Sequence, residues 1–134
     1  LDDNPNSISK KYLESVIAEG VVEHISHTND VRPYLENADV FVLPSYREGT
    51  PRSVLEAMAS GLPVITTDAP GCRETVVDGA NGYLVKVKEV GSLVDAMMKF
   101  IASPQLVEKM GVRSLEIVRK ISTILSAYRI AFTT

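Results

Sequence analysis

Residues 39–67 read DVFVLPSYREGTPRSVLEAMASGLPVITT, and two short apolar runs with an amphipathic stretch between them decide the fold. Residues 39–43, DVFVL, are almost continuously apolar and have helical patterns on both sides, which is how a strand buried on both faces of a parallel sheet reads. Pro44 ends it, because it has no N–H for a ladder. Residues 45–50, SYREGT, are a polar loop. Thr50-Pro51 reads as a helix start, with Thr as N-cap and Pro at the first helical position. The helix SVLEAMAS runs to Gly61, a stop residue, and residues 63–67, PVITT, form a second buried strand. On this helix Leu55, Met58 and Ala59 are expected on the buried face, with Glu56 at its edge.

The same alternation continues outward. Residues 8–18, ISKKYLESVIA, place Ile8, Tyr12, Leu13, Val16 and Ile17 on one helical face, and Gly20 stops that helix. Val21 to Ser26 reads as a strand, and Asp30 as the cap of a short helix through Tyr34, Leu35 and Ala38. Downstream, residues 72–77, CRETVV, predict a short helix ending at Asp78-Gly79, Asn81-Gly82 a turn, and Tyr83 to Val87 a last strand. Gly91 to Ala102 reads as a helix, and Pro104 opens another through Leu106, Val107, Met110, Leu115 and Val118. A terminal amphipathic piece carries Ile121, Ile124, Leu125 and Tyr128. Met58, Met97, Met98 and Met110 fall at helical positions and read as core filler. Strands alternating with helices give an α/β class with a parallel sheet and right-handed crossovers. Strands 21–26, 39–43 and 63–67 are expected to lie parallel with helices on both faces.

Composition removes several classes of function. The chain has 134 residues, 45% hydrophobic and 23% charged, an ordinary globular balance for one domain. The net charge is −3, with −5 over residues 1–67 and +2 over 68–134, and there is no basic block, which argues against nucleic acid. Lys109, Arg113, Arg119 and Lys120 are interleaved with Glu108 and Glu116, the pattern of a solvated helix face. No apolar run approaches the roughly 20 residues of a membrane helix. Cys72 is the single cysteine, so no internal disulfide forms, which fits the cytosol. His24 and His27 lack metal-ligand spacing, and no metal site is expected. The chain opens Leu-Asp-Asp-Asn, without an initiator Met or a signal peptide, and is expected to be a segment of a longer protein.

Ligands of open parallel sheets sit beyond the carboxyl ends of the strands. The loop after 39–43 carries Arg47, Glu48, Gly49 and Thr50 directly before a helix. The unpaired N–H groups and positive dipole end of that first turn suit a phosphate or diphosphate. Gly49 permits close approach of a ligand to the backbone, and Thr50, Arg52 and Ser53 add donors. Taken alone, Thr50 and Ser53 read as caps of the helix. Glu48 and Glu56, with seven residues between them, bracket this turn; singly they read as a loop charge and a surface residue. Arg73, on the next strand-to-helix loop, reads as a structural ion pair with Glu74 or Asp78.

Residues 38–85, ADVFVLPSYREGTPRSVLEAMASGLPVITTDAPGCRETVVDGANGYLV, strongly resemble the donor-binding domain of glycosyltransferase family 4, retaining enzymes of the GT-B fold. Glu48 and Glu56 match the family's E-x7-E hallmark, and EGTPRSVLEAMA looks most like bacterial transferases of capsule, O-antigen or lipid-linked glycans. The resemblance covers about residues 5–120 and implies a Rossmann-like three-layer α/β/α domain over 1–120, with 121–134 a C-terminal helix of the same domain: one half of a GT-B fold. It implies that Glu56 binds the ribose hydroxyls, that Glu48, the catalytic candidate, contacts hydroxyls of the donor sugar, and that Gly49, Thr50, Pro51, Arg52 and Ser53 cradle the diphosphate. His27 would lie beside the base or ribose.

Further expectations follow from the resemblance. The donor is a nucleotide-sugar, with UDP the expected nucleotide and a hexose or N-acetylhexosamine the sugar. The acceptor is a saccharide or lipid-linked saccharide, reached through an N-terminal acceptor domain. No cofactor and no metal are expected: the chain has no D-x-D motif, and helix dipole and cations take the diphosphate charge. The intact protein would be cytoplasmic, working at the inner face of the membrane by peripheral association. The family's acceptor domain, the first strand of its donor domain, and the Arg and Lys that follow that strand have no counterpart here; nor do residues 121–134 have the domain on which the family's terminal helix packs. The isolated chain is therefore expected to bind UDP without transferring sugar. Alternatives are a binding-only fragment and a GT-B sugar-nucleotide 2-epimerase, against which the E-x7-E segment favours a transferase. A flavodoxin- or receiver-like domain lacks its flavin loop or acidic cluster here.

Overall fold

The structure, a computed structural model, describes residues 9–45 and 52–128. The backbone falls into two units, residues 1–31 and 32–134.

The first unit holds one helix, α1 (Lys10–Ala18). Ser9 caps it, its hydroxyl accepting from Tyr12 N–H at 3.2 Å. Gly20 closes it, with φ +74 and its N–H on the Ile17 carbonyl. No residue of α1 is buried, and Tyr12 is mostly exposed. Residues 21–26 correct the sequence expectation: they form no strand. Val21, Val22 and Ile25 are exposed, and a strand exists only where a neighbour takes its backbone groups.

The second unit is built on three parallel strands in the order β1-β2-β3: β1 (Phe41–Leu43), β2 (Val64–Thr67) and β3 (Gly82–Val85). Helix α2 (Arg32–Glu36) precedes β1, α3 (Arg52–Ala59) joins β1 to β2, and α4 (Val90–Ala102) and α5 (Gln105–Tyr128) follow β3. The third parallel strand is therefore 82–85, not 21–26, and the last two expected helical pieces are one helix of 24 residues.

The strands sort their side chains with the period of two that an extended chain dictates. Val42, Ile65, Tyr83 and Val85 face α4 and the start of α5, packing with Ala96, Phe100, Leu106, Val107 and Met110. Phe41, Leu43, Val64 and Leu84 face the other way, onto Val54 and Met58 of α3 and Ile117 and Val118 of α5. Leu35 of α2 joins Ala57 and Leu62 on that side. Helices thus cover both faces of the sheet, the Rossmann-like three-layer arrangement. Because Val54, Ala57 and Met58 are the buried residues of α3, its phase differs by a residue from the expected Leu55, Met58 and Ala59. Met97 and Met98 are half-exposed, so only Met58 and Met110 are core.

Two glycines fix how α3, β2 and α5 meet. Gly61, at φ +79, donates to the Met58 carbonyl while Leu62 N–H reaches the Ala57 carbonyl, and Leu62 packs on Ala57. This is the Schellman close of a helix, and it sends the chain directly into β2. Gly111 lets α5 cross that corner: a Cβ there would lie 2.1 Å from the Gly61 carbonyl oxygen.

Residues 72–75 are turns and 76–77 irregular, rather than the expected helix. The buried Asn81 side chain takes their backbone groups, accepting from Val77 N–H at 2.8 Å and donating to the Thr75 carbonyl at 3.3 Å. Thr75 Oγ1 donates to the Cys72 carbonyl at 2.7 Å, and three successive β-branched residues add to the cost of a helix here.

Candidate functional site

The parallel order puts the carboxyl ends of β1, β2 and β3 along one edge of the sheet, where α3 begins. Glu48, Gly49, Thr50 and Pro51 lie outside the described residues. Arg52, Ser53 and Glu56 lie on the first turns of α3. Arg52 and Ser53 are exposed and Glu56 is half-buried. Buried Val54, Ala57 and Met58 anchor the helix to the sheet, so Glu56 is carried at the border between core and solvent.

Arg52 Nε stands 3.5 Å from Glu56 Oε1, with side-chain exposures of 81% and 43%. An exposed pair of this i,i+4 kind is worth about 0.3–0.5 kcal/mol. A hydrogen bond to a charged carboxylate is worth about 1.5–3 kcal/mol. The Arg52–Glu56 pair is the weaker of these two kinds of interaction, and Arg52 stands at the N-terminus of α3, where an anion is favoured.

The loop after β2 contributes a second pinned cation. Arg73 Nε lies 3.1 Å from Asp68 Oδ1, and its Nη2 donates to the Asp68 carbonyl at 3.2 Å. The expected ion pair is present, but its partner is Asp68 rather than Glu74 or Asp78; Asp78 Oδ1 instead accepts from Leu84 N–H at 2.9 Å. Arg113 pairs with Glu116 on α5, as a solvated face would. His27 is exposed in the irregular run of the first unit.

Sequence reasoning missed two hydroxyls. Thr66 Oγ1 donates to the Leu43 carbonyl at 2.9 Å, and Thr67 Oγ1 donates to the Ser45 carbonyl. The available signal was the polar end of an otherwise apolar strand, VITT, buried throughout. Also missed was a hollow of about 680 Å³ lined by Val40, Val42, Ile65, Met97, Phe100 and Ile101. It reaches Asp39, Leu62 and Pro104, and so opens towards the amino ends of the strands, away from Glu56. Among the described residues, no three His, Cys, Asp or Glu side chains gather as a metal site, and no helix is long and apolar enough to cross a membrane.

Residues 6–116 match the family described as glycosyl transferases group 1. The chain belongs to that family. It is 35% identical over 105 residues to the N,N'-diacetylbacillosaminyl-diphospho-undecaprenol alpha-1,3-N-acetylgalactosaminyltransferase of Campylobacter jejuni, covering 78% of this chain and 27% of that protein. It is 37% identical over 71 residues to the UDP-Gal:alpha-D-GlcNAc-diphosphoundecaprenol alpha-1,3-galactosyltransferase of Escherichia coli, covering 53% of this chain and 18% of that one. The crystallised C-terminal domain of a glycosyl transferase group 1 family protein, LpcC, from Francisella tularensis superposes with a TM-score of 0.69 at 31% identity, covering 83% of this chain and 60% of that chain. This chain thus spans less than a third of the curated relatives it matches, and its fold is that of one GT-B glycosyltransferase domain.

Proposed function

We propose that this glycosyl transferase group 1 domain holds the nucleotide-sugar donor of a retaining transferase, with UDP as the nucleotide and a hexose or N-acetylhexosamine as the sugar. The observation that carries the proposal is Glu56, the second glutamate of E-x7-E, half-exposed on the first turns of α3 at the carboxyl edge of the sheet. The donor class is supported by the E. coli relative, whose name gives UDP-Gal, and the acceptor class by both relatives, named for diphospho-undecaprenol substrates. A saccharide or lipid-linked acceptor at the inner face of the membrane is the corresponding proposal for the whole protein.

In this mechanism Glu56 accepts from the ribose hydroxyls and orients the nucleotide. Glu48 accepts from hydroxyls of the sugar. The N–H groups that open α3, with Arg52 beside them, stabilise the charge that develops on the leaving diphosphate, which is where electrostatic preorganisation acts. No divalent cation is required. The acceptor must come from a second domain that holds the reacting groups in line, so the isolated chain binds the donor nucleotide and transfers nothing.

Calorimetric titration of the chain with UDP, with and without EDTA, tests the proposal, alongside a transfer assay with UDP-galactose and UDP-N-acetylgalactosamine. Saturable UDP binding unaffected by EDTA, with no turnover, is expected. Absence of UDP binding, or binding abolished by the chelator, overturns it.

A further inference from the structure

The two edges of the sheet end differently. Along β3 and the residue after it, groups turned away from β2 are taken by nearby residues. The Gly82 carbonyl accepts from Gly79 N–H at 2.8 Å, Leu84 N–H donates to Asp78 Oδ1 at 2.9 Å, and Lys86 N–H donates to Ser92 Oγ at 3.0 Å. An edge whose groups are already taken offers no template for another strand. The other edge is β1. Phe41 N–H donates to the Pro63 carbonyl at 3.0 Å, so Phe41 and Leu43 turn their backbone groups to β2, and Val42 between them turns its N–H and C=O outward. Among the described residues, no strand pairs with β1 on that side. The surface beside it is apolar. Val42 lines the hollow of about 680 Å³ with Met97 and Ile101, and these two, half-exposed and exposed, form a stripe with Val94 at helical spacing along α4.

We propose that the open edge of β1 and the α4 stripe are the contact between two copies of this chain. A two-fold axis through Val42, perpendicular to the sheet, sets the two β1 strands antiparallel. Val42 N–H of each copy then donates to the Val42 carbonyl of the other, which satisfies the outward groups of both and joins two three-stranded sheets into one of six strands. The same axis keeps both α4 helices on one face of that sheet, so Met97 and Ile101 of the two copies meet over the Val42 pair. The register is compatible in charge: Phe41 lies opposite Leu43 and Asp39 opposite Ser45, so the two Asp39 carboxylates do not face each other. Pro44 brings no N–H to its pair with Val40, so the ladder is short and the α4 contact completes the interface. A second copy meets every one of these features by one operation. The proposal is independent of the donor-binding role.

Sedimentation of the 134-residue chain over a concentration series, with amide exchange at Val42 followed by NMR, tests it. A reversible dimer is expected, with Val42 N–H protected only as the dimer forms. Ile101→Lys sets two like charges across the axis and is expected to weaken dimerisation at least about tenfold. Val42→Pro removes the outward N–H, a change that an edge strand tolerates, and is expected to weaken it about five- to a hundredfold, the scale of two lost hydrogen bonds. Val77→Lys, exposed in the loop before β3, is expected to leave it unchanged. Should Val42→Pro not fold, Ile101→Lys, at a side chain 67% exposed, decides alone. A chain that is monomeric at every concentration, or a dimer unaffected by Ile101→Lys, overturns the proposal. So does protection of Val42 N–H in the monomer, which would place a segment of the same chain on the edge.

Discussion

Val21–Ser26 and Val64–Thr67 are both short runs rich in β-branched residues, yet only the second is a strand. Val64 pairs with Phe41 on one side and Gly82 on the other, and every residue of that run is buried. Val21, Val22 and Ile25 are exposed in an irregular run. Both runs carry valine and isoleucine, and what only the second has is partners: β propensity expresses a fit to neighbours more than a backbone preference. Parallel strands draw that fit from both ladders and both covering layers, and β2 has all four.

The same substitution in each run puts the largest predicted effect on this contrast. Ile65 is 0% exposed and Ile25 42% exposed. Ile65→Ala should cost about 2–5 kcal/mol of unfolding free energy, as buried large-to-small changes do. Ile25→Ala should stay within about 0.5 kcal/mol. Urea denaturation of both variants measures this, and equal losses would break the comparison. A second, smaller effect concerns the corner that delivers the chain into β2. Gly111→Ala places a Cβ against the Gly61 carbonyl, and should cost about 1–3 kcal/mol as overpacking does. A neutral Gly111→Ala would mean that α5 does not brace that corner.

Much of the second unit was legible because its signals are local and redundant. Pro44, Gly61 and Pro63 punctuate β1, α3 and β2, and a buried apolar run leaves little choice of state. Misjudged segments depended on side chains just outside the run being read. Residues 72–77 carry a helical pattern, but Asn81 takes the Thr75 and Val77 backbone groups. Arg73 found Asp68, on the strand side of its loop, rather than the nearer Glu74. The phase of α3 slipped by one because Leu55 and Val54 are equally apolar, and only packing against the sheet distinguishes them. At the site, the place of Glu56 at the edge of the buried face of α3 was legible from the helix pattern, and the structure sets it half-buried and paired with Arg52, while its ligand rests on the resemblance alone. The Thr67 bond was not legible, because its partner Ser45 lies 22 residues away across a strand pair.

The smallest predicted structural effect accompanies the most informative functional one. Glu56→Ala removes a partly exposed side chain and should leave stability within about 0.5 kcal/mol. Titration of UDP into wild-type, Glu56→Ala and Glu48→Ala chains tests the central claim most directly. On the proposed roles, Glu56→Ala should weaken UDP about tenfold to hundredfold, the loss of a charged hydrogen bond to ribose, while Glu48→Ala should leave UDP nearly unchanged because UDP lacks the donor hexose that Glu48 would hold. UDP affinity unaltered by Glu56→Ala, or lowered as much by Glu48→Ala, would contradict the account.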